Sequence, residues 1–493
     1  MGIRHVREAR ADWQRTLTAG LAYAVEGLFL LTLVALPLDV YLEAPDGRAI
    51  GYLSQALTLE MCALFGVALA ASALLLQPTR LWPRPRELAP LAAALLVALA
   101  SAIVATSHSA ALAASLNVFV ALGIFMVARA MLTRPHARSH ALLALLAGVT
   151  LVLVAGFFGA APGSPDIAGA ALNIQRAPAA LTDAGATGVA ATFRSSSELA
   201  AYLVIIIPLL TACAITSRAW ADRAGYGVLA FAAGVLLLLT STSGALLGVA
   251  VALLVLLWAL GGYRLALAGL AIMLCCGLAL VFIPSPISSS LAPGGASAAG
   301  WQVAQLSVWR WAGSTFLHHP LLGVGIGAIG LQSNAPLVNG APALDAESLI
   351  LNVLAEMGML GGLAVGLCFY AGIRLALTGV RESHGWLDRG WNAGALAALI
   401  GALVYGITDP VLVSGQVTGL LCALAGLAGS ELPYPVERLG LTMDHWKGAL
   451  SALRALALSN PLSRQRERQI GAPTERRPVG ARVSDTREAG DIL

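Results

Sequence analysis

Little charge is present in this chain. Only 11% of its 493 residues are charged, against 58% hydrophobic, and mean hydropathy is +0.79. That composition excludes a string of soluble domains with self-made cores, because the apolar excess needs lipid as solvent. The net charge of +4 is too small to argue for nucleic acid as a partner. Cysteine is scarce: Cys62, Cys213, Cys275, Cys276, Cys368 and Cys422 all fall inside apolar segments, none at metal-site spacing with histidine. They read as packing residues and leave the compartment open. No nucleotide-binding motif is present, and Gly323-Val324-Gly325-Ile326-Gly327 lacks the preceding strand of a dinucleotide loop. There is no internal repeat. Arg4, Arg7, Arg10 and Arg15 precede an apolar stretch without a small-residue cleavage site, which reads as a retained first helix.

Apolar segments of spanning length fill Leu21 to Leu427. Their approximate limits are Leu21–Leu38, Leu53–Leu76, Leu88–Thr106, Ala110–Leu132, Ala141–Ala160, Leu199–Thr216, Gly227–Thr240, Ala245–Leu260, Leu265–Pro284, Met357–Leu377, Ala393–Ile407 and Val411–Leu427. The expected fold is all-α: a polytopic integral membrane protein of about 12 transmembrane helices, with a long extracytoplasmic loop between the ninth and tenth. With the N-terminus inside, the inner connections hold Arg80, Arg84 and Arg86, Arg134 and Arg138, Arg218 and Arg223, Arg264, and Arg381 and Arg389. The outer ones are poor in lysine and arginine, with Arg48, Arg176, Arg194 and Arg310 the exceptions. This positive-inside pattern puts both termini in the cytoplasm. The domains follow: residues 1–18 as a cytoplasmic N-terminus, 19–430 as the transmembrane domain with outer loops 162–197 and 285–347, and 431–493 as a cytoplasmic tail with the composition of disorder.

The gap from Ser285 to Ser348 concentrates the polar and aromatic residues: Trp309-Arg310-Trp311, His318-His319, Pro320 to Gly325, and Asp345-Ala346-Glu347-Ser348. Polar groups are costly in hydrocarbon, so such a cluster reads as the working surface. Trp301 to Phe316 is expected as an amphipathic helix at the interface, and Glu347 to Glu356 as a helix leading into the next span.

Several stretches together resemble the bacterial O-antigen ligase and O-antigen polymerase family. They are Thr192 to Leu203 leading to Pro208, Leu239 to Gly248, Trp309-Arg310 through His319-Pro320-Leu321-Leu322-Gly323-Val324-Gly325, Glu347-Ser348 to Gly361, and Gly406-Ile407-Thr408-Asp409-Pro410. The resemblance covers about Ala186 to Leu427. It implies glycan transfer from an undecaprenyl-pyrophosphate-linked oligosaccharide to a glycan or lipid acceptor at the outer leaflet of a bacterial inner membrane. Membrane lipids, and a chain-length regulator as a further partner, belong to the same implication; no cofactor or metal does. Ligases of the family usually carry His-Asn where this chain has Glu347-Ser348, and arginine where it has Ser243. The pattern is therefore closer to a polymerase type.

The residue types suit that chemistry. Negative charge builds on the departing diphosphate, and arginine holds it with bidentate, permanently charged donors. An acceptor hydroxyl needs a base. Glu347 and His319 are thus the catalytic candidates, with Arg194, Arg310 and Asp345 as substrate-binding candidates. Each also has a plainer reading. Arg194 can sit at headgroup level, and Arg310 can anchor an interface or stack on tryptophan. His319 can close a helix, and Glu347 can be a helix-start acid. Asp345 with Glu347 is too small a set for a metal. Asp409 reads as structural. Two other functions fit a polytopic chain: a transporter, for example for inorganic anions, and a non-catalytic envelope-assembly protein.

Overall fold

The computed structural model describes residues 20–21, 23–38, 41–43, 49–74, 85–132, 136–159, 189–193, 195–240, 242–271, 297–332, 335–338, 341–343, 345–383, 385–410 and 414–429. All lie in the first of two compact units, Met1–Leu432. The tail, and most of the expected span Leu265–Pro284, fall outside the described residues.

The described chain is a helical bundle with two minor hairpins, Tyr41–Glu43 with Ala49–Tyr52 and Leu337–Val338 with Ala341–Pro342. Its helices are α1 (Tyr23–Ala35), α2 (Leu53–Leu74), α3 (Pro85–Val104), α4 (His108–Met131), α5 (Ala137–Gly159), α6 (Ser196–Thr216), α7 (Trp220–Leu239), α8 (Ser243–Gly261), α9 (Ser297–His318), α10 (Leu349–Glu382), α11 (Trp386–Tyr405) and α12 (Gly415–Leu427). Seven of the described helices are long and apolar enough to cross a membrane. The chain is therefore a polytopic, all-helical membrane protein. Observed starts run ahead of the apolar limits at α7 and α11, because Trp220-Ala221-Asp222 and Trp386-Leu387-Asp388 form polar first turns.

The centre is the pair α6 and α11. Almost every residue of α11 from Gly390 to Ala402 is buried. Small residues permit this: a Cβ on Gly394 would lie 2.8 Å from the Leu209 Cα, and one on Gly401 3.0 Å from the Gly248 carbonyl of α8. Close backbone approach through small residues is the usual way helices associate in lipid, where apolar side chains gain little from meeting one another.

α10 is broken. Gly358 takes φ 66°, ψ −164° within it, a left-handed backbone open to glycine. The break frees the carbonyls of Ala355 and Glu356, and the Pro320–Gly327 loop takes them. Val324 N–H donates to Ala355 O and Gly325 N–H to Glu356 O, each at 3.0 Å, and Met359 N–H returns to Pro320 O at 2.8 Å. Ser101 of α3 pins the same knot. Its hydroxyl meets Glu356 O at 2.9 Å and Leu322 O at 3.2 Å, and accepts Ile326 N–H at 2.9 Å. After the break, α10 is about 35 Å long at ~1.5 Å per residue, enough for one span.

At the end of the bundle away from this knot, two buried arginines hold the end of α12. Arg129 forms a two-pronged ion pair with Glu87 at 2.7 and 2.9 Å, and donates to Ala428 O at 2.7 Å. Arg138 donates to Leu427 O at 3.1 Å, to Asp388 at 2.6 Å, and to Gly429 O. Asn392 accepts Gly429 N–H at 2.8 Å. Gly429, at φ 106°, turns these carbonyls out of the helix line. The sequence pattern counts Arg138 only as a topological charge; the fold uses it as a buried cap. Glu26 of α1 meets His140 of α5 at 2.9 Å.

Candidate active site

The knot end of the bundle joins the start of α6, the end of α11, the start of α8 and the turn Asp345–Ser348. Ser195 caps α6 by accepting Glu198 N–H at 3.2 Å, which keeps the first turn and its Glu198 in place. Leu349 N–H donates to Gly406 O at 2.7 Å, tying the turn to the end of α11. A Cβ on Gly244 would overlap Thr408 Oγ1, so α8 closes against the same corner. Tyr405 donates from its hydroxyl to Ser197 O at 3.2 Å. The stretches Thr192–Leu203, Leu239–Gly248, Glu347–Gly361 and Gly406–Pro410, far apart in sequence, thus meet at one junction.

Carboxyl groups gather there. Asp345 accepts the Glu347 N–H at 2.9 Å. This tight turn holds Glu347 at φ 46°, a conformation uncommon for residues other than glycine, and such outliers cluster at functional sites. The turn is fixed from below by Asn352, whose buried side chain accepts Ala346 N–H at 3.2 Å. Glu347 itself is half-buried. Asp409 lies within electrostatic reach of both Asp345 and Glu198, and hydrogen-bonds to Tyr405 and Ser197. Burial raises the Asp409 carboxyl to about 7, the neighbouring charges of Asp345 and Glu198 adding to the rise and the bonds from Tyr405 and Ser197 opposing it. A carboxyl that titrates near neutrality can take or give a proton under ordinary conditions. Asp409, read as structural from the sequence, is therefore part of the carboxyl cluster. Its Gly-x-x-Asp-Pro setting carried no periodic signal that could have shown this.

The other candidates are placed differently. Arg310 is exposed on α9. The opposite face of that helix, Val308, Trp311 and Ala312, packs on Ala343, Ala346 and Ala355. The helix expected to lie on the membrane therefore also backs the Glu347 turn. His319 is exposed; its N–H bonds to Thr315 O and Phe316 O, and its carbonyl accepts Gly323 N–H at 3.1 Å. It closes α9, as its plainer reading expects, outside the junction's hydrogen bonds. Arg194 lies outside the described residues, immediately before the Ser195 cap. Among the described residues, no group of three or more His, Cys, Asp or Glu has the geometry to hold a metal ion.

The Asp409 geometry carries a pH expectation. Its folded value lies above its ordinary 3.8. The stability gained by keeping it protonated is full below about pH 4 and is lost as pH rises to about 7. Thermal midpoints in detergent should fall across that window, and Asp409→Asn should flatten the fall while keeping the Tyr405 and Ser197 contacts. An unchanged slope in the variant would assign the pH dependence to other groups.

A strained carboxyl turn on a broken helix, at one end of a polytopic bundle, defines a membrane protein with a built polar site. Residues 227–366, which include α9 and the Glu347 turn, match the family model described as O-antigen ligase. Over that segment, less than a third of the chain, the protein is similar to the O-antigen ligase family. No curated protein matches the chain.

Proposed function

We propose that this protein transfers a glycan from undecaprenyl pyrophosphate to a glycan or lipid acceptor at the outer face of a bacterial inner membrane. In this reading Glu347 takes the proton of the acceptor hydroxyl. Arg194 and Arg310 neutralise the departing diphosphate, Asp345 positions Glu347 and the acceptor, and His319 is the reserve base. The observation that carries it is the strained, half-buried Glu347 turn inside the family-matched segment, bolted to α11 through Leu349 and Gly406. The bound donor explains why such a site belongs at a membrane surface: its leaving group is anchored in lipid. Purified protein in liposomes with a lipid-linked oligosaccharide should lengthen the glycan or move it to an added acceptor. Absence of any transfer, with donor and acceptor both varied, would overturn the proposal.

Two expectations arise directly. Arg310→Lys and Arg194→Lys should each lose most transfer while the protein still folds and inserts, because lysine keeps the charge but loses the fork. Wild-type turnover in both would leave them as headgroup anchors. The topology is tested in a cysteine-free background. A cysteine replacing the exposed Leu331 should react with an impermeant maleimide from outside, and one at Arg218, in the exposed α6–α7 turn, should not. The reverse pattern would move the site to the cytoplasmic face.

A further inference from the structure

The loop that docks on α10 is rich in glycine, and such loops often turn their N–H groups onto a phosphate. Here every amide from Gly323 to Ile329 has an acceptor within the protein. Gly323 N–H donates to His319 O at 3.1 Å, Val324 to Ala355 O at 3.0 Å, Gly325 to Glu356 O at 3.0 Å and Ala328 to Gly325 O at 3.1 Å. Ile326 N–H goes to the Ser101 hydroxyl at 2.9 Å. The remaining two, those of Gly327 and Ile329, donate to the Glu356 carboxylate. Gly327 is left-handed at φ 70°, and Ala328 after it is right-handed at φ −101°, ψ −9°. That alternation aims the Gly327 and Ile329 amides at one point and makes an anion-binding nest.

The anion in this nest is the protein's own. Glu356 lies just before the Gly358 break, and Asn352 lies one turn earlier on the same face of the helix. Asn352 holds the Ala346 N–H of the Glu347 turn at 3.2 Å. Ile329, whose N–H Glu356 takes, packs with Trp311 of α9 and with Ala346. Arg310 precedes Trp311 on α9. One short stretch of α10 thus ties together the arginine-bearing helix, the glycine loop and the carboxyl turn.

We infer that Glu356 is a positioning residue for glycan transfer: its carboxylate fills the Gly327–Ile329 nest and so fixes α9, with Arg310, against the turn that carries Glu347. The inference rests on the proposed function for the reaction itself. It leaves the donor's diphosphate to the arginines, because no amide between Gly323 and Ile329 is free to hold it. A carboxylate suits the nest, since it only accepts hydrogen bonds and its charge strengthens them. An amide in its place would set one N–H against another. Misplacing reacting groups by about 1 Å costs roughly 10²-fold in rate, so a device that sets the spacing of Arg310 and Glu347 acts on turnover without touching substrate.

The test is Glu356→Ala in full-length protein, with sodium formate added back at constant ionic strength. Formate replaces the lost carboxylate, and it has room: Glu356 borders a cavity of about 240 Å³ together with Asn117, Asn352, Gly327 and Thr418. Per folded molecule, kcat should fall about 10²-fold, with a far smaller change in KM for the lipid-linked donor. Formate should recover much of the rate. Formamide, of the same shape without the charge, should not. Hydrogen exchange gives a readout without turnover: peptides containing Gly327 to Ile329 and Ala346 should lose protection together in the variant and regain it with formate. Wild-type kcat per folded molecule would overturn the inference, and so would a loss that formate leaves unrepaired or that formamide repairs equally. If the alanine variant does not insert, Glu356→Gln carries the test, with an expected loss of about tenfold from one buried N–H left without an acceptor; full turnover there would overturn the inference as well. A wild-type protein that transfers nothing would sink the proposed function, and exchange would then judge the nest alone, protection lost in the loop but kept at Ala346 counting against it. Wild-type transfer with unmoved exchange in the variant would keep the proposed function and sink the inference.

Discussion

Glu347→Gln is expected to slow glycan transfer by about 10² to 10⁴, the range for a positioned general base. Glutamine keeps the size and most of the polarity of the side chain. It also leaves the Asp345 contact in place, because that contact is made by the Glu347 main-chain N–H. The turn should therefore hold its φ of 46° and the protein should fold normally. Donor binding should persist, since the diphosphate contacts are assigned to the arginines. Glu347→His is the companion: it restores a base at the position where family ligases carry histidine, and should recover part of the rate. Wild-type turnover by the glutamine variant would reduce Glu347 to a helix-start acid. His319, the reserve base, would then be examined next, together with Asp409, whose carboxyl burial raises to about 7 in the same cluster.

Arg129→Ala should destabilise the bundle by about 3–5 kcal/mol, as expected when one partner of a buried pair is removed. Arg129 is 5% exposed and Glu87 13%. The alanine variant strands the Glu87 carboxylate and leaves the Ala428 carbonyl without its donor. The double variant Arg129→Met with Glu87→Leu should fall much closer to wild type, because two apolar side chains of similar volume remove the charge problem from both sides. Thermal denaturation in one detergent at fixed protein concentration checks both. A single variant as stable as wild type would show that water reaches the pair.

Most of the scaffold was legible from apolar run length, since lipid imposes that length on every spanning helix. The described helices from α1 to α8 and from α10 to α12 overlap the expected apolar segments, and seven of the described helices are long and apolar enough to cross a membrane. Boundaries moved where tryptophan and aspartate open a helix before its apolar run, as at Trp220 and Trp386. The break in α10 was not expected, since the run from Glu347 read as a helix leading into the next span; the turn at Gly358 is set by the loop that docks on it. At the site, the Asp345–Glu347 turn was visible as a polar exception. The inclusion of Asp409 and Tyr405 was not, because it depends on α6 and α11 meeting across more than 200 intervening residues. The role of Arg129 was hidden for the same reason: its partners are Glu87 and the carbonyl of Ala428. A charge inside an apolar run signals only that some partner must exist.

The arginine cap on α12 also imposes an order of assembly. Arg129 and Arg138 leave the ribosome long before residues 427–429, the backbone they hold. Glu87 precedes Arg129 and can meet it early, but Asp388, Asn392 and the α12 carbonyls all come late. Throughout synthesis this corner of the bundle therefore carries guanidinium groups whose final acceptors do not yet exist. In the interval Arg138 has water or lipid phosphate as acceptors, while Arg129 already has Glu87. α12 acts as a bolt: its arrival supplies the carbonyls that Arg129 and Arg138 hold.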